Sequence, residues 1–97
     1  MNDYFNVFTS IDTNLKIKKL TKRLGVRGFG SLVFLWSYTA KNKSKGELIG
    51  MGREDIEVAA NWEGDDFKLI DTLIELKLLD KKKEVYSIHD WGKYNDD

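Results

Sequence analysis

The stretch WEGDDFKLIDTLIELKLLDKKKEVYSIHDW, residues 62–91, contains a turn, a helix and a hairpin in direct succession. Residues 62–66 combine a glycine with two aspartates, which indicates a turn that supplies an aspartate cap to the next helix. The apolar residues of that helix recur at helical spacing and predict its buried face: Phe67, Ile70, Leu73, Ile74 and Leu76. The lysines at 81–83 separate two short strand patterns, and Tyr86 and Ile88 share one strand face.

Two helical patterns lie upstream. The first has its apolar face at Ile17, Leu20, Thr21 and Leu24. Gly25 provides its C-terminal stop. The second starts at about Phe29 and is the most apolar, with its face at Phe29, Leu32, Val33, Trp36 and Ala40. We therefore expect the second helix to be central.

The segment between these helices and the turn predicts a short strand and one more helix. The letters ELIG, residues 47–50, suffice for a short strand after a Lys, Asn, Ser and Gly-rich loop. REDIEVAANW, residues 53–62, predicts a short helix that ends near Asn61. A helix, a glycine-containing turn, a second helix and a hairpin form a winged helix-turn-helix. The fold class expected is mainly α with a small β-hairpin.

Length and composition limit the classes of protein that fit. The 97 residues predict a single winged-helix domain, 1–97, with its core at about 4–92 and a tail or the start of a linker at 93–97. There is no cysteine, so no disulfide framework or cysteine-based zinc site is expected. The sequence has no apolar run of membrane-spanning length and no signal-peptide pattern. We expect a cytoplasmic protein without a membrane partner, a metal or a cofactor.

The net charge of zero hides a strong segregation of charge along the chain. From Asn14 to Lys45 there are nine basic residues and no acidic residue, whereas Glu47 to Asp80 contains ten acidic residues. The basic part is suited to a polyanion such as DNA, while the acidic part is not. The alternative is that these lysines form an ordinary solvent-exposed surface that binds no polyanion.

His89 is the only histidine and stands next to Asp90. Adjacent residues on a strand point to opposite faces, so the two side chains do not form a catalytic dyad. Ser87 shares the strand face of His89, which keeps a Ser-His pair open as a weak alternative. The preferred interpretation is that His89 and Asp90 end the strand through local hydrogen bonds and that Trp91 closes the core. We therefore expect no enzyme activity and no catalytic residue.

Four segments carry a resemblance to a known family. They are LKIKKLTKRLGV (15–26), GSLVFLWSYT (30–39), GELIGMGREDIEVAANWEGDDFKLIDTLIELKLLD (46–80) and YSIHDWGKY (86–94). Together they resemble the N-terminal winged-helix domain of phage replisome-organiser and replication-initiation proteins, which are related to DnaD-type primosome proteins. Asn61 stands where that family often has glycine. The resemblance implies a DNA-binding, self-associating domain, a longer parent protein, and a replicative helicase or loader as partner.

DNA binding is the main functional expectation, with backbone phosphates as the principal contacts and weak sequence specificity. The exposed face of the second helix of the motif is predicted at Lys68, Asp71, Thr72 and Glu75, whose net charge of minus one disfavours deep reading of the major groove. The cations lie elsewhere. The predicted DNA-binding residues are Lys16, Lys18, Lys19, Lys22, Arg23, Lys41, Lys43, Lys45, Lys68, Thr72, Lys81, Lys82 and Lys83.

Two alternatives remain open from the sequence. The first is a module for oligomerisation or protein interaction that does not bind DNA, with Tyr4, Phe5 and Phe8 as anchors for a homo-oligomer. The second is a transcriptional regulator of the same fold, which would prefer one palindromic site. The acidic helix face argues against the regulator.

Overall fold

The computed structural model describes residues 11–91, with side chains from residue 15 onward. Its elements in chain order are α1 Ile11–Asn42, β1 Glu47–Leu48, α2 Arg53–Ala59, α3 Lys68–Glu75, β2 Leu79–Lys82 and β3 Val85–Ile88. The expected class is confirmed: the chain is mainly helical with a small antiparallel sheet, an arrangement compatible with a winged helix-turn-helix. The predicted core limits at residues 4 and 92 lie outside the described residues.

Helix α1 contains both of the upstream helices that the sequence predicts. Gly25 separates them with a non-helical backbone, φ 75° and ψ −172°, so the predicted stop is confirmed. The second part starts directly after Gly25 and not at Phe29. Its buried face is also rotated from the predicted one, because Ala40 is exposed while Leu35 and Thr39 are fully buried. The Thr39 hydroxyl donates to the Leu35 carbonyl at 2.7 Å, which satisfies a polar side chain inside the core.

The sheet contains three strands in the order β1-β3-β2, all antiparallel. Leu48 pairs with Tyr86, and Leu79 pairs with Ile88, so one face of the sheet is apolar and packs on the helices. The predicted hairpin is confirmed, with Lys82 opposite Val85 at its tip. The short strand β1 adds a third strand that the sequence analysis did not pair with the hairpin.

Trp91 closes the hydrophobic core, as predicted. Its side chain is buried, and Nε1 donates to the Ser44 carbonyl at 2.9 Å. Gly46 lies directly under the indole, so a Cβ atom built there would stand 2.5 Å from Trp91 Cγ. The Gly46 carbonyl accepts the Ile88 amide at 2.9 Å. The C-terminal end of β3 is therefore fixed to the loop before β1.

Gly46 and Gly50 form a matched pair for testing this packing. Both have φ 82°, but only Gly46 lies against Trp91. We expect Gly50→Ala to lower the free energy of unfolding by about 1 kcal/mol because of its positive φ. Gly46→Ala should cost about 1–3 kcal/mol more, since its Cβ also displaces the indole. Urea unfolding followed by tryptophan fluorescence measures both, and equal losses would contradict the packing role of Trp91.

Candidate nucleic-acid interface

Helix α3, the second helix of the helix-turn-helix, is held at its N-terminus by the side chain of Glu57 from α2. Glu57 Oε1 accepts the Phe67 amide at 2.8 Å, and Oε2 accepts the Ile70 amide at 3.0 Å. The residue is buried, 7% exposed. An α-helix leaves its first amides without intrahelical acceptors and has a positive N-terminal end, so a carboxylate there is doubly favourable. The predicted aspartate cap is wrong, because α3 has Phe67 at its N-cap position and no side-chain cap bond from it.

The turn before α3 is longer than the three or four residues typical of this motif. It occupies residues 60–67 between α2 and α3. Trp62 folds over Gly64, and its Nε1 donates to the Asp65 carbonyl at 2.8 Å. Phe67 has φ 65°, a left-handed conformation that is unusual for an aromatic residue. The Glu57 contact with the Phe67 amide holds this strained residue in place.

The exposed face of α3 differs from the predicted face at one position. Lys68, Asp71 and Glu75 are exposed, as expected. Thr72 is buried, 5% exposed, and its hydroxyl donates to the Lys68 carbonyl at 2.7 Å. The prediction that Thr72 contacts DNA is therefore wrong, because its hydroxyl already bonds the helix backbone inside the protein.

Both carboxylates on the exposed face of α3 are paired with arginines from other elements. Arg53 Nη2 of α2 lies 2.9 Å from Asp71 Oδ1, and Arg23 Nη1 of α1 lies 2.5 Å from Glu75 Oε1. Counting Arg53 and Arg23 with the three exposed α3 residues gives three positive and two negative charges, a net of plus one. The α3 residues considered by themselves have a net charge of minus one. The two arginines are not visible in the α3 sequence, because the ion pairs join residues 18 and 52 positions apart. No local pattern reports such contacts.

The basic residues in the first part of α1, before Gly25, fall into two groups. Lys16 Nζ donates to the Lys77 carbonyl at 2.9 Å, and Arg23 pairs with Glu75, so these two lie beside the C-terminal end of α3. Lys18, Lys19 and Lys22 are exposed. The first part of α1 therefore presents cations next to α3, as a phosphate-contacting surface requires.

The backbone segments that carry the wing lysines and the loop lysines join opposite ends of β3. Residues 81–83 are exposed at the hairpin tip, and Lys81 Nζ lies 5.4 Å from the centre of the Tyr86 ring. Lys41, Lys43 and Lys45 precede Gly46, which bonds Ile88 at the other end of β3. The strand rise places these ends about 10 Å apart. Lys43 also donates to the Ile49 carbonyl at 3.1 Å. Ile49 lines one groove with Lys81, Lys82 and Lys83, so the head group of Lys43 extends along β1 toward the hairpin tip. The assignment of the loop lysines to the DNA-binding surface stays a prediction.

His89 bonds across the hairpin. Its Nδ1 lies 2.9 Å from Asp80 Oδ2, and its Nε2 lies 3.4 Å from Asp90 Oδ2. Its backbone amide donates to the Leu78 carbonyl at 3.2 Å. The prediction of local hydrogen bonds is wrong for the His89 ring, whose hydrogen-bond partner is Asp80 on the neighbouring strand β2. Each ring nitrogen of His89 thus faces a carboxylate. Among the side chains that the structure describes, His89 and Ser87 are not hydrogen-bonded to each other.

Residues 11–91 contain no helix long and apolar enough to cross a membrane. No group of three or more His, Asp or Glu side chains in that part of the chain is arranged to hold a metal ion. Tyr4, Phe5 and Phe8, the predicted oligomerisation anchors, lie outside the described residues. Comparison with protein-family models, curated proteins and solved structures returned no match. The resemblance to phage replication-initiation proteins therefore stays a prediction.

Glu57 gives a direct test of how α3 is positioned. We expect Glu57→Ala to lower the free energy of unfolding by about 3 kcal/mol, because two amides at a buried helix end lose a charged acceptor. Glu54→Ala is the control, since Glu54 is an exposed residue of the same helix and should cost about 0.5 kcal/mol. Chemical denaturation measures both. Similar losses in the two variants would show that Glu57 does not anchor α3.

Proposed function

We propose that this chain is a non-enzymatic DNA-binding domain of the kind found in phage replication-initiation proteins, and that it contacts duplex DNA mainly through backbone phosphates. The observation that carries the proposal is the composition of one continuous segment: α3, with its carboxylates paired to arginines, leads directly into a hairpin tipped with exposed lysines. In winged helix-turn-helix proteins the second helix lies in the major groove. A cationic wing beside it is suited to the adjacent phosphates.

Weak sequence specificity follows from the side chains that α3 exposes. Base edges in the major groove are read chiefly by Arg, Lys, Asn and Gln, and Lys68 is the exposed α3 residue of that type. Asp65 and Asp66 are exposed just before α3 and disfavour a phosphate at its N-terminus. A transcriptional regulator that selects one palindromic site needs more base contacts, so this alternative has less support.

The wing can be tested against the loop with two charge-matched double variants. Lys82 and Lys83 are exposed at the hairpin tip, whereas Lys41 and Lys45 are exposed on the segment before Gly46, which bonds Ile88 at the other end of β3. We expect Lys82→Gln with Lys83→Gln to weaken binding to a duplex and to reduce the slope of log K against log salt by about two, since each phosphate contact contributes about 0.9. Lys41→Gln with Lys45→Gln should leave that slope nearly unchanged.

Fluorescence anisotropy with a labelled duplex at several salt concentrations provides the measurement. Absence of binding by the unaltered chain at low salt would overturn the DNA-binding proposal. Equal effects of the two double variants would mean that only overall charge matters, which contradicts a contact role for the wing.

Self-association is a second candidate function, favoured by an exposed apolar surface on the opposite side of α2 from the Arg53 pair. Val26 and Phe34 on α1 are 78% and 53% exposed, and Val58 on α2 is 68% exposed. Phe34 lines a pocket with Arg27 and Glu63, and Val58 lines a second pocket with Glu54. Exposed apolar side chains of this size often mark protein interfaces, which favours a homodimer.

Sedimentation equilibrium tests the homodimer. We expect the chain to approach dimer mass at about 100 μM, an affinity range typical of small interfaces, and Phe34→Lys to return it to the monomer mass. Leu15→Lys is the matched control, because Leu15 is also 53% exposed but lies in the first part of α1. A monomer at every concentration, or equal effects of both variants, would rule out this surface.

A further inference from the structure

We infer that Arg53 and Arg23 are phosphate-binding residues of the interface, and that Asp71 and Glu75 compete with DNA for these guanidinium groups. The inference rests on the proposed DNA-binding function and adds to it Arg53, which sequence reasoning did not assign, together with an internal competitor for each arginine. Its basis is the pair of ion pairs that border the exposed face of α3.

Arg53 is held by two contacts at the start of α3. Its Cζ atom lies 4.2 Å from the centre of the Phe67 ring, and its Nη2 lies 2.9 Å from Asp71 Oδ1. A guanidinium stacked on an aromatic ring keeps its plane and its donors oriented. The side chain is 45% exposed. Its contact with Asp71 uses a donor on Nη2, and a guanidinium has five N–H donors in all, so donors remain for a phosphate oxygen.

Arg23 stands at the other end of α3. Its Nη1 contacts Glu75 Oε1, and the two side chains are 46% and 71% exposed. Lys16 of the same helix donates to the Lys77 carbonyl just beyond α3, so the first part of α1 lies beside this end of the helix. The two arginines therefore border α3 near its beginning and near its end, where the backbone of a bound duplex passes a helix in the major groove.

In both ion pairs a DNA phosphate can replace the carboxylate as the partner of the arginine. Ion pairs between exposed side chains are weak because water and salt screen them. A phosphate, like a carboxylate, can accept two hydrogen bonds from one guanidinium group. The other phosphates of the duplex add to the attraction of the positive charge. DNA can thus take each guanidinium from its carboxylate, and the freed carboxylate repels the duplex. Asp71 and Glu75 therefore lower the affinity in two ways, by occupying an arginine and by adding negative charge.

A double-mutant cycle separates these two effects. Asp71→Asn in the unaltered chain removes the negative charge and also frees Arg53, so we expect about tenfold tighter binding. Asp71→Asn in an Arg53→Gln background removes the charge alone, and there we expect about threefold or less. Arg53→Gln by itself should weaken binding by about fivefold. The same cycle applies to Arg23→Gln and Glu75→Gln.

Glu54→Gln is the control for loss of one negative charge, because Glu54 neighbours Arg53 in sequence but lines the groove with Tyr38. We expect it to change the affinity less than twofold at about 0.15 M salt, where distant charges are screened. Circular dichroism and thermal unfolding verify that each variant keeps the fold. Equal effects of Asp71→Asn in both backgrounds, or no effect of Arg53→Gln, would overturn the inference while DNA binding itself stands. Failure of the unaltered chain to bind DNA would overturn the proposed function instead.

Discussion

The carboxylate of Glu57 is the constraint on which the helix-turn-helix depends. It joins α2 to the N-terminus of α3 through two backbone amides and replaces the local cap that the turn lacks. This contact allows Phe67 to adopt a left-handed conformation. The Phe67 ring then supports Arg53 over α3. The orientation of α3 and the position of a guanidinium on its surface thus follow from one buried acid.

The electrostatics of the surface follow from this arrangement. The acidic residues of α3 are counted against DNA binding when the helix is considered alone, but each is matched by an arginine from another helix. The sequence is basic from Asn14 to Lys45 and acidic from Glu47 to Asp80, and the fold brings the two segments together into a mixed surface around α3. Clusters of exposed lysines remain on α1 and at the hairpin tip.

The element order was predictable because apolar spacing, Gly25 and the lysine-rich turn are local signals. The predictions that Tyr86 and Ile88 share one strand face and that Trp91 closes the core are likewise confirmed. The errors concern contacts between segments. The sequence analysis gave Glu57 no role, since nothing in its neighbourhood reveals that it reaches Phe67 ten residues later. Thr72 was placed on the exposed face by a helical wheel that carries no information on packing.

The central claim is that α3 and the hairpin tip form the surface that binds DNA. Titration of the ¹⁵N-labelled chain with a short duplex, followed by amide chemical shifts, tests it most directly. The account predicts shift changes at Arg53, Lys68, Asp71 and residues 81–84, with the Lys41 to Lys45 loop unaffected. Changes centred on that loop, or on the groove at Phe34 and Val58, would contradict it.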